Sequence, residues 1–149
     1  MQRDWQQMLQ ATIPLSAAMQ VGIVYGADGR VELTAPLAPN VNDKGTGFGG
    51  SLATLATLAG WVEVRRQLDG IAPDVQADIV IQRGETSYLH PVTAAFSAQV
   101  DALDADELGR FAKLFIRRGV ARMPVAVQVL CGGVKCAEFR GEYVASRLV

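Results

Sequence analysis

Lys44 is the last charged residue before Glu63, and between them lie only Gly, Ala, Ser, Thr, Leu, Val, Phe and Trp. An uncharged window from Gly45 to Trp61 approaches the length that spans a membrane. Its repeated glycines and hydroxyls, inside a strand-rich chain, instead predict a core helix buried on all sides. The polar residues before it, Asn40 to Lys44, and the glycines that follow read as a loop turning into that helix. A helix start gathers unpaired N–H groups and a partial positive charge, which suits an anion or a polarised carbonyl.

Two catalytic motifs resemble this stretch and fit it poorly. Gly45, Gly47 and Gly50 spell G-x-G-x-x-G, but that dinucleotide fingerprint follows directly on a buried strand. Here Pro36, Pro39, Asn40, Asn42 and Asp43 come first, which is loop chemistry. Gly49-Gly50-Ser51-Leu52-Ala53 is one residue short of the G-x-S-x-G elbow.

Around the central run the periodicities are plain. Trp5, Met8, Leu9 and Thr12 are spaced as a short helix stopped by Pro14. Val21–Tyr25 and Val31–Pro36 flank Gly26–Arg30 as a hairpin, with Val31, Leu33 and Ala35 on one face. Gly70 and Pro73 mark the exit of the central helix. Val75, Ala77, Ile79 and Ile81 then alternate as a strand, and Gly84 is the expected bulge. Pro91 is expected to start another strand, with Val92, Ala94, Phe96, Ala98 and Val100 on one face.

Asp104 with Glu107 opens a second helix through Leu108, Phe111, Ala112 and Phe115, closed by Gly119. Arg122–Cys131 and Lys135–Ser146 follow as strands around Gly132-Gly133. Pro124 implies an edge, a strand start or a bulge. The order predicts an α+β fold, a curved antiparallel sheet wrapped around one long helix.

At 149 residues, half of them hydrophobic, the chain makes a single domain over 1–149 with a real core. A formal net charge of −1 offers no bulk attraction to nucleic acid or an anionic membrane. The first residues carry no apolar signal-peptide core, so the expectation is a cytoplasmic protein. Cys131 and Cys136 are too few for a disulfide framework or a zinc site and are expected to be free thiols.

Asn42-x-x-Gly45-Thr46-x-Phe48-Gly49-Gly50, followed by an Ala/Leu-rich helix, resembles the signature loop and helix of hotdog-fold acyl thioesterases. The fuller run from Asn40 to Leu52 and on to Trp61 is most similar to the thioesterase-like domain of YiiD C-terminal type, which elsewhere follows an acetyltransferase. Tyr88-Leu89-His90-Pro91-Val92-Thr93 fits the next strand junction of that group. The resemblance implies hydrolysis of acyl-CoA or acyl-carrier-protein thioesters, at a site on a homodimer interface, in a dimer or a dimer of dimers. It implies no separate cofactor and no metal, because coenzyme A or phosphopantetheine arrives as part of the substrate. A non-catalytic acyl-thioester binding or regulatory module is the alternative.

The resemblance assigns Gly49 N–H to polarise the thioester carbonyl and Asn42 to orient water or substrate. Phe48, beside Gly50, stands where many relatives have histidine. Thr57 stands where many carry the carboxylate that activates water. Glu63, Asp78 or Glu85 is the candidate replacement base. His90, the only histidine, could act across a dimer. Arg65 and Arg66, or Arg117 with Arg110 and Lys113, are candidates to hold coenzyme A phosphates or an acidic carrier surface.

Overall fold

Side-chain alternation positions the sheet. A computed structural model describes residues 3–26 and 28–149. Its elements are α1 (Trp5–Thr12), α2 (Pro14–Ala18), β1 (Gly22–Tyr25), β2 (Val31–Ala35), a 3-10 turn (Ala38–Asn40), α3 (Gly49–Ile71), β3 (Ala77–Tyr88), β4 (Phe96–Val100), α4 (Ala105–Arg118), β5 (Val120–Cys131) and β6 (Val134–Arg147). The strands form one six-stranded antiparallel sheet in the order β1-β2-β4-β5-β6-β3. Val31, Leu33, Ala35, Phe96, Ala98, Val125, Val127, Val129, Tyr143 and Ala145 face inward, and α3 crosses that face in contact with β2 to β6.

Turn and cap chemistry behaves as the residues dictate. Asp104 accepts the Glu107 N–H at 2.9 Å and Gly119 ends α4 at φ 75°, as the capping residues predict. Gly132 and Gly133 both take positive φ in the two-residue β5–β6 turn. Pro124 lies in β5, where β6 pairs with it through Glu142 but the β4 pairing reaches only to Val127. Its missing N–H therefore costs the ladder nothing. Pro14 ends α1 and also opens α2 as its first residue.

Four expectations need correction. The extra residue in β3 is Gln82, where the pairing with β6 shifts between Ile81 and Arg83; Gly84 pairs squarely with Gly141. The Gly84 position is tight instead, since a Cβ there would lie 3.3 Å from Ile81 and Phe139. β4 begins at Phe96, not at Pro91. Residues 91–94 are drawn off the sheet: Val92 O accepts the Gly47 N–H, and the thiols of Cys136 and Cys131 lie against Pro91 O and Ala94 O. The strand from Val75 starts only at Ala77 and runs on to Tyr88. Finally, α3 is not buried on all sides. Leu52, Leu55, Ala56, Leu58, Ala59 and Val62 are enclosed, while Gly50, Ala53, Thr54, Thr57 and Trp61 form a half-open stripe.

Among the described residues, no helix is long and apolar enough to cross a membrane. What seats α3 is a close approach at Gly60. Tyr143, fully buried on β6, donates its hydroxyl to Thr57 O at 2.6 Å, and its ring lies where a Gly60 side chain would be, 2.7 Å from an added Cβ. Burial pushes the Tyr143 hydroxyl well above its ordinary pKa, so it stays a donor.

Gly60→Ala should therefore overpack this contact and lower stability by about 1–3 kcal/mol, despite alanine's better helix propensity. Tyr143→Phe, which leaves the ring in place, should lose only about 1 kcal/mol. Urea denaturation measures both. A Gly60→Ala protein as stable as wild type would contradict the contact.

Candidate functional site

The loop before α3 is a small closed structure built by asparagine. Val41 bridges Gly47, Asn42 N bonds Thr46 O at 2.8 Å, and Gly45 turns the chain at φ 79°. Inside that turn the Asn42 carboxamide is fully engaged. Its Oδ1 accepts from Lys44 N (2.8 Å) and Thr46 N (3.1 Å), and its Nδ2 donates to Thr46 Oγ1 (2.8 Å) and reaches Gly47 O (3.5 Å). Asn42 thus works in the loop as an organiser.

Asn40 anchors the loop from below. It is 1% exposed, and its Nδ2 donates to Met19 O and Pro36 O. Its carbonyl accepts the Phe48 N–H at 2.7 Å, immediately before α3, while Gly47 N reaches Val92 O at 2.8 Å. Asn40 Oδ1 has no partner among the described residues.

The chain then enters α3 through Phe48, an extended N-cap residue that makes no side-chain capping bond. Ser51 N and Leu52 N both turn back to Phe48 O, at 2.9 and 3.1 Å. The N–H groups of Gly49 and Gly50 are the ones a helix start leaves over. They open beside two aromatic rings, Phe48 over Gly50 and Tyr88 against Gly49, each 54% exposed. The start of a long helix, α3, adds its partial positive charge there. The arrangement suits a carbonyl oxygen or an anion, with apolar walls for whatever carries it.

The other residues singled out from sequence separate into two groups. Thr57 faces the half-open stripe two turns further along α3, its hydroxyl donating a hydrogen bond to Ala53 O at 2.8 Å. Its lone pairs remain able to accept. Glu63 is 2% exposed but saturated: Arg66 holds it through Nε (3.1 Å) and Nη2 (2.9 Å), and Gln67 Nε2 lies at 2.8 Å. It sits about 21 Å along the helix from Gly49, fourteen residues at the helical rise. Neither Glu63 as base nor Arg66 as phosphate grip fits this arrangement.

Arg65 is also committed elsewhere. Its Nη2 donates to Ala77 O at 2.7 Å and its guanidinium lies over Trp61, while Trp61 Nε1 donates to Ile79 O at 3.0 Å. Burial lowers the Arg65 pKa. These two side chains occupy backbone carbonyls on β3, the last strand of the sheet. His90 is exposed just past β3, where its N–H and that of Leu89 share Cys136 O. Arg117 is exposed in the last turn of α4, tied by Arg147 to the Ala77 end of β3, away from Gly49 by about the length of that strand. Asp78 and Glu85 are exposed on β3.

Sequence reasoning did not single out Asn40 or Tyr88 as site residues. The first was visible as the repeat Asn40-x-Asn42. The second has no local signal, because its contact with Gly49 spans 39 residues. A groove of about 380 Å³ lies elsewhere, between Arg83 and Glu85 on β3, Arg140 and Glu142 on β6, and the start of α4. It includes no residue of the loop.

Comparison with known proteins identifies the family and the fold. The family model described as "Putative thioesterase (yiiD_Cterm)" matches residues 2–147. A Shewanella oneidensis protein whose crystal structure is described as that of a "putative thioesterase" is 35% identical, with 95% of this chain and 94% of that one covered and a TM-score of 0.78. A Chlorobaculum tepidum protein of unknown function is 30% identical over 97% of this chain and 93% of its own, with a TM-score of 0.88. A Bacillus halodurans protein, solved with CoA, is 22% identical, covers 98% and 89%, and superposes with a TM-score of 0.72, a likeness of fold. None of the curated proteins matches the chain.

Because the Asn42 carboxamide ties the turn together, Asn42→Ala should speed amide hydrogen exchange at Lys44 and Thr46 by about tenfold or more, at a stability cost of roughly 1–3 kcal/mol. Asn42→Asp, which keeps both acceptor bonds and can accept a hydrogen bond from the Thr46 hydroxyl, should exchange more slowly than Asn42→Ala. Equal exchange in all three proteins would show that the loop does not depend on this side chain.

Proposed function

Because the chain belongs to the YiiD C-terminal family of hotdog-fold thioesterase-like proteins, we propose that it hydrolyses acyl thioesters of coenzyme A or acyl carrier protein to free acid and thiol. The observation that carries this reading is the uncapped start of α3, where Gly49 and Gly50 present N–H groups with no capping side chain in front of them. A thioester carbonyl placed there accepts the Gly49 N–H, and the charge that builds on its oxygen as water adds is met by that donor and the helix end. One such donor lowers the barrier by about 3 kcal/mol. The C–S bond then breaks, and the proton given up by the added water ends on the leaving sulfur, so that free acid and thiol result. The CoA found with the Bacillus halodurans relative supports a pantetheine-bearing substrate.

Asn42 serves this chemistry by holding the loop that aims Gly49. Thr57 takes the role of holding the attacking water, since its hydroxyl donates inward to Ala53 O and leaves acceptor lone pairs on the open stripe. Phe48 supplies an apolar wall beside Gly50.

The same reading makes the working unit a homodimer, or a pair of such dimers. β3 ends the sheet and leaves Val80 and Ile81 exposed along its length and Tyr88 and Leu89 exposed at its far end. Pairing β3 antiparallel with a second copy covers them. It also carries the Ala77 end of one copy, with α4 and Arg117, toward the Tyr88 end of the other. Arg117, Arg110 and Lys113 then reach the partner's site as phosphate or carrier-protein contacts, and His90 of each chain faces the seam.

The second reading, an acyl-thioester binding module without turnover, is favoured by one observation: Glu63, the one buried carboxylate of α3, is fully held by Arg66 and Gln67.

Thiol release from acyl-CoAs of graded chain length and from acyl carrier protein tests the two. Wild type should turn over at least one of them, and Asn42→Ala should lower kcat by about 10- to 100-fold through the misaimed donor. Glu63→Gln should lower stability yet leave kcat within about twofold, given its distance along α3. Tight binding without thiol release on every substrate would select the second reading. Sedimentation should show a dimer that Ile81→Asp converts to monomer, with activity lost alongside; an active monomer would remove the shared site.

A further inference from the structure

We infer that Tyr88 is a positioning residue for a second carbonyl donor, the Gly50 N–H, and that Phe48 and Tyr88 together set how wide a group can reach it. The inference rests on the thioester reading above and adds to it a residue acting from β3.

The argument starts from one peptide unit. Tyr88 Oη donates to Gly49 O at 2.9 Å. Gly49 O and the Gly50 N–H belong to the same planar unit, which is trans, since the described residues include no cis peptide. In a trans peptide the two groups point in opposite directions, so the hydroxyl that holds the oxygen also fixes where the N–H aims. The next unit is treated differently: Thr54 Oγ1 holds Gly50 O at 2.7 Å, but its N–H, on Ser51, is already spent on Phe48 O. Of the peptide units whose oxygen a side chain holds in this first turn, only that of Gly49-Gly50 keeps a donor to offer.

Holding the oxygen does more than aim the N–H. A hydrogen bond to an amide oxygen polarises the amide and strengthens its N–H as a donor. A chain from the Tyr88 hydroxyl through the Gly49-Gly50 peptide to a substrate carbonyl oxygen therefore meets growing negative charge better than an isolated amide does.

The rings define the space around the donors. A Cβ on Gly49 would sit 3.3 Å from the Tyr88 ring, and one on Gly50 only 2.5 Å from Phe48 Cε2. Each ring thus lies where a side chain on its glycine would be, so an aromatic wall flanks each donor. A flat, narrow group such as a thioester fits; a group branched next to the carbonyl meets a wall. Since Tyr88 closes β3 at the exposed end of the sheet, pairing of that strand with a second copy would also exclude water from the Tyr88–Gly49 bond.

Tyr88→Phe keeps the ring and deletes the one bond. The full chain is titrated with acetyl-carba(dethia)-coenzyme A, in which a methylene replaces sulfur so that the carbonyl is kept and hydrolysis is blocked, while ¹⁵N–¹H spectra follow Gly49 and Gly50. In wild type the Gly50 amide proton should move downfield on binding, and Tyr88→Phe should lose at least half of that movement. With the acyl-CoA turned over, kcat of Tyr88→Phe should fall about tenfold, less than loss of a whole oxyanion donor costs, with KM within about twofold and an unchanged melting temperature.

Turnover and a Gly50 shift equal to wild type in Tyr88→Phe would overturn the role of Tyr88 and leave the thioester reading standing. A wild-type chain that neither binds the probe nor releases thiol would overturn both. For the walls, Phe48→Ala should raise kcat/KM for an α-branched acyl-CoA relative to the straight-chain one by about fivefold or more, a ratio set by pocket fit. An unchanged ratio would remove Phe48 as a selectivity wall.

Discussion

Everything in this protein depends on how closely α3 lies against the sheet at Gly60. A helix of 23 residues is enclosed by β-strands on most of its circumference, and Tyr143 fills the space a side chain at 60 would take while bonding Thr57 O. That contact sets the rotation of the helix. The same rotation turns Leu52, Leu55, Ala59 and Val62 into the core and leaves Gly50, Thr57 and Trp61 on the open stripe. With the rotation settled, the N-terminus of the helix has only one place to emerge, beside the Tyr88 end of β3.

The polar residues around that end divide the labour. Asn40 roots the loop in buried backbone, Asn42 closes its turn, and Gly47 is held to Val92 on a segment pulled off the sheet. None of these groups needs to touch a substrate for the site to depend on them. They spend their hydrogen bonds on geometry, and the free N–H groups of the first helical turn are what remains. At the other end of α3, Arg65, Trp61, Glu63 and Arg66 do structural work: they occupy carbonyls of β3 and satisfy one another. The helix is thus open at its start and sealed near its end.

The elements came through from sequence wherever local chemistry decides. The α4 cap at Asp104, its stop at Gly119, the glycine turn of β5–β6 and the β1–β2 hairpin follow from residues a few positions apart. The misreadings have a common cause. Val92 and Ala94 alternate as a strand should, but the carbonyls of residues 91–94 bond the Gly47 N–H and two thiols far away in the chain. Gly84 looked like a bulge, yet the extra residue is Gln82, because register is decided by the partner strand. Arg65, Arg66 and Glu63 looked available because a sequence does not show which charges already face one another.

By itself, then, the sequence determined the order of the strands and of the two long helices, the antiparallel sheet around a helix whose first half is uncharged, the glycine-rich loop that feeds it and the family to which loop and helix belong. These are short-range matters of periodicity, capping and backbone freedom. Tertiary structure alone decided which polar groups stay free at the site. Tyr88 meets Gly49 across 39 residues, and Glu63 is buried yet neutralised within its own helix. A hydrogen-bonding group becomes functional only when no neighbour has claimed it, and the neighbours are chosen by the fold.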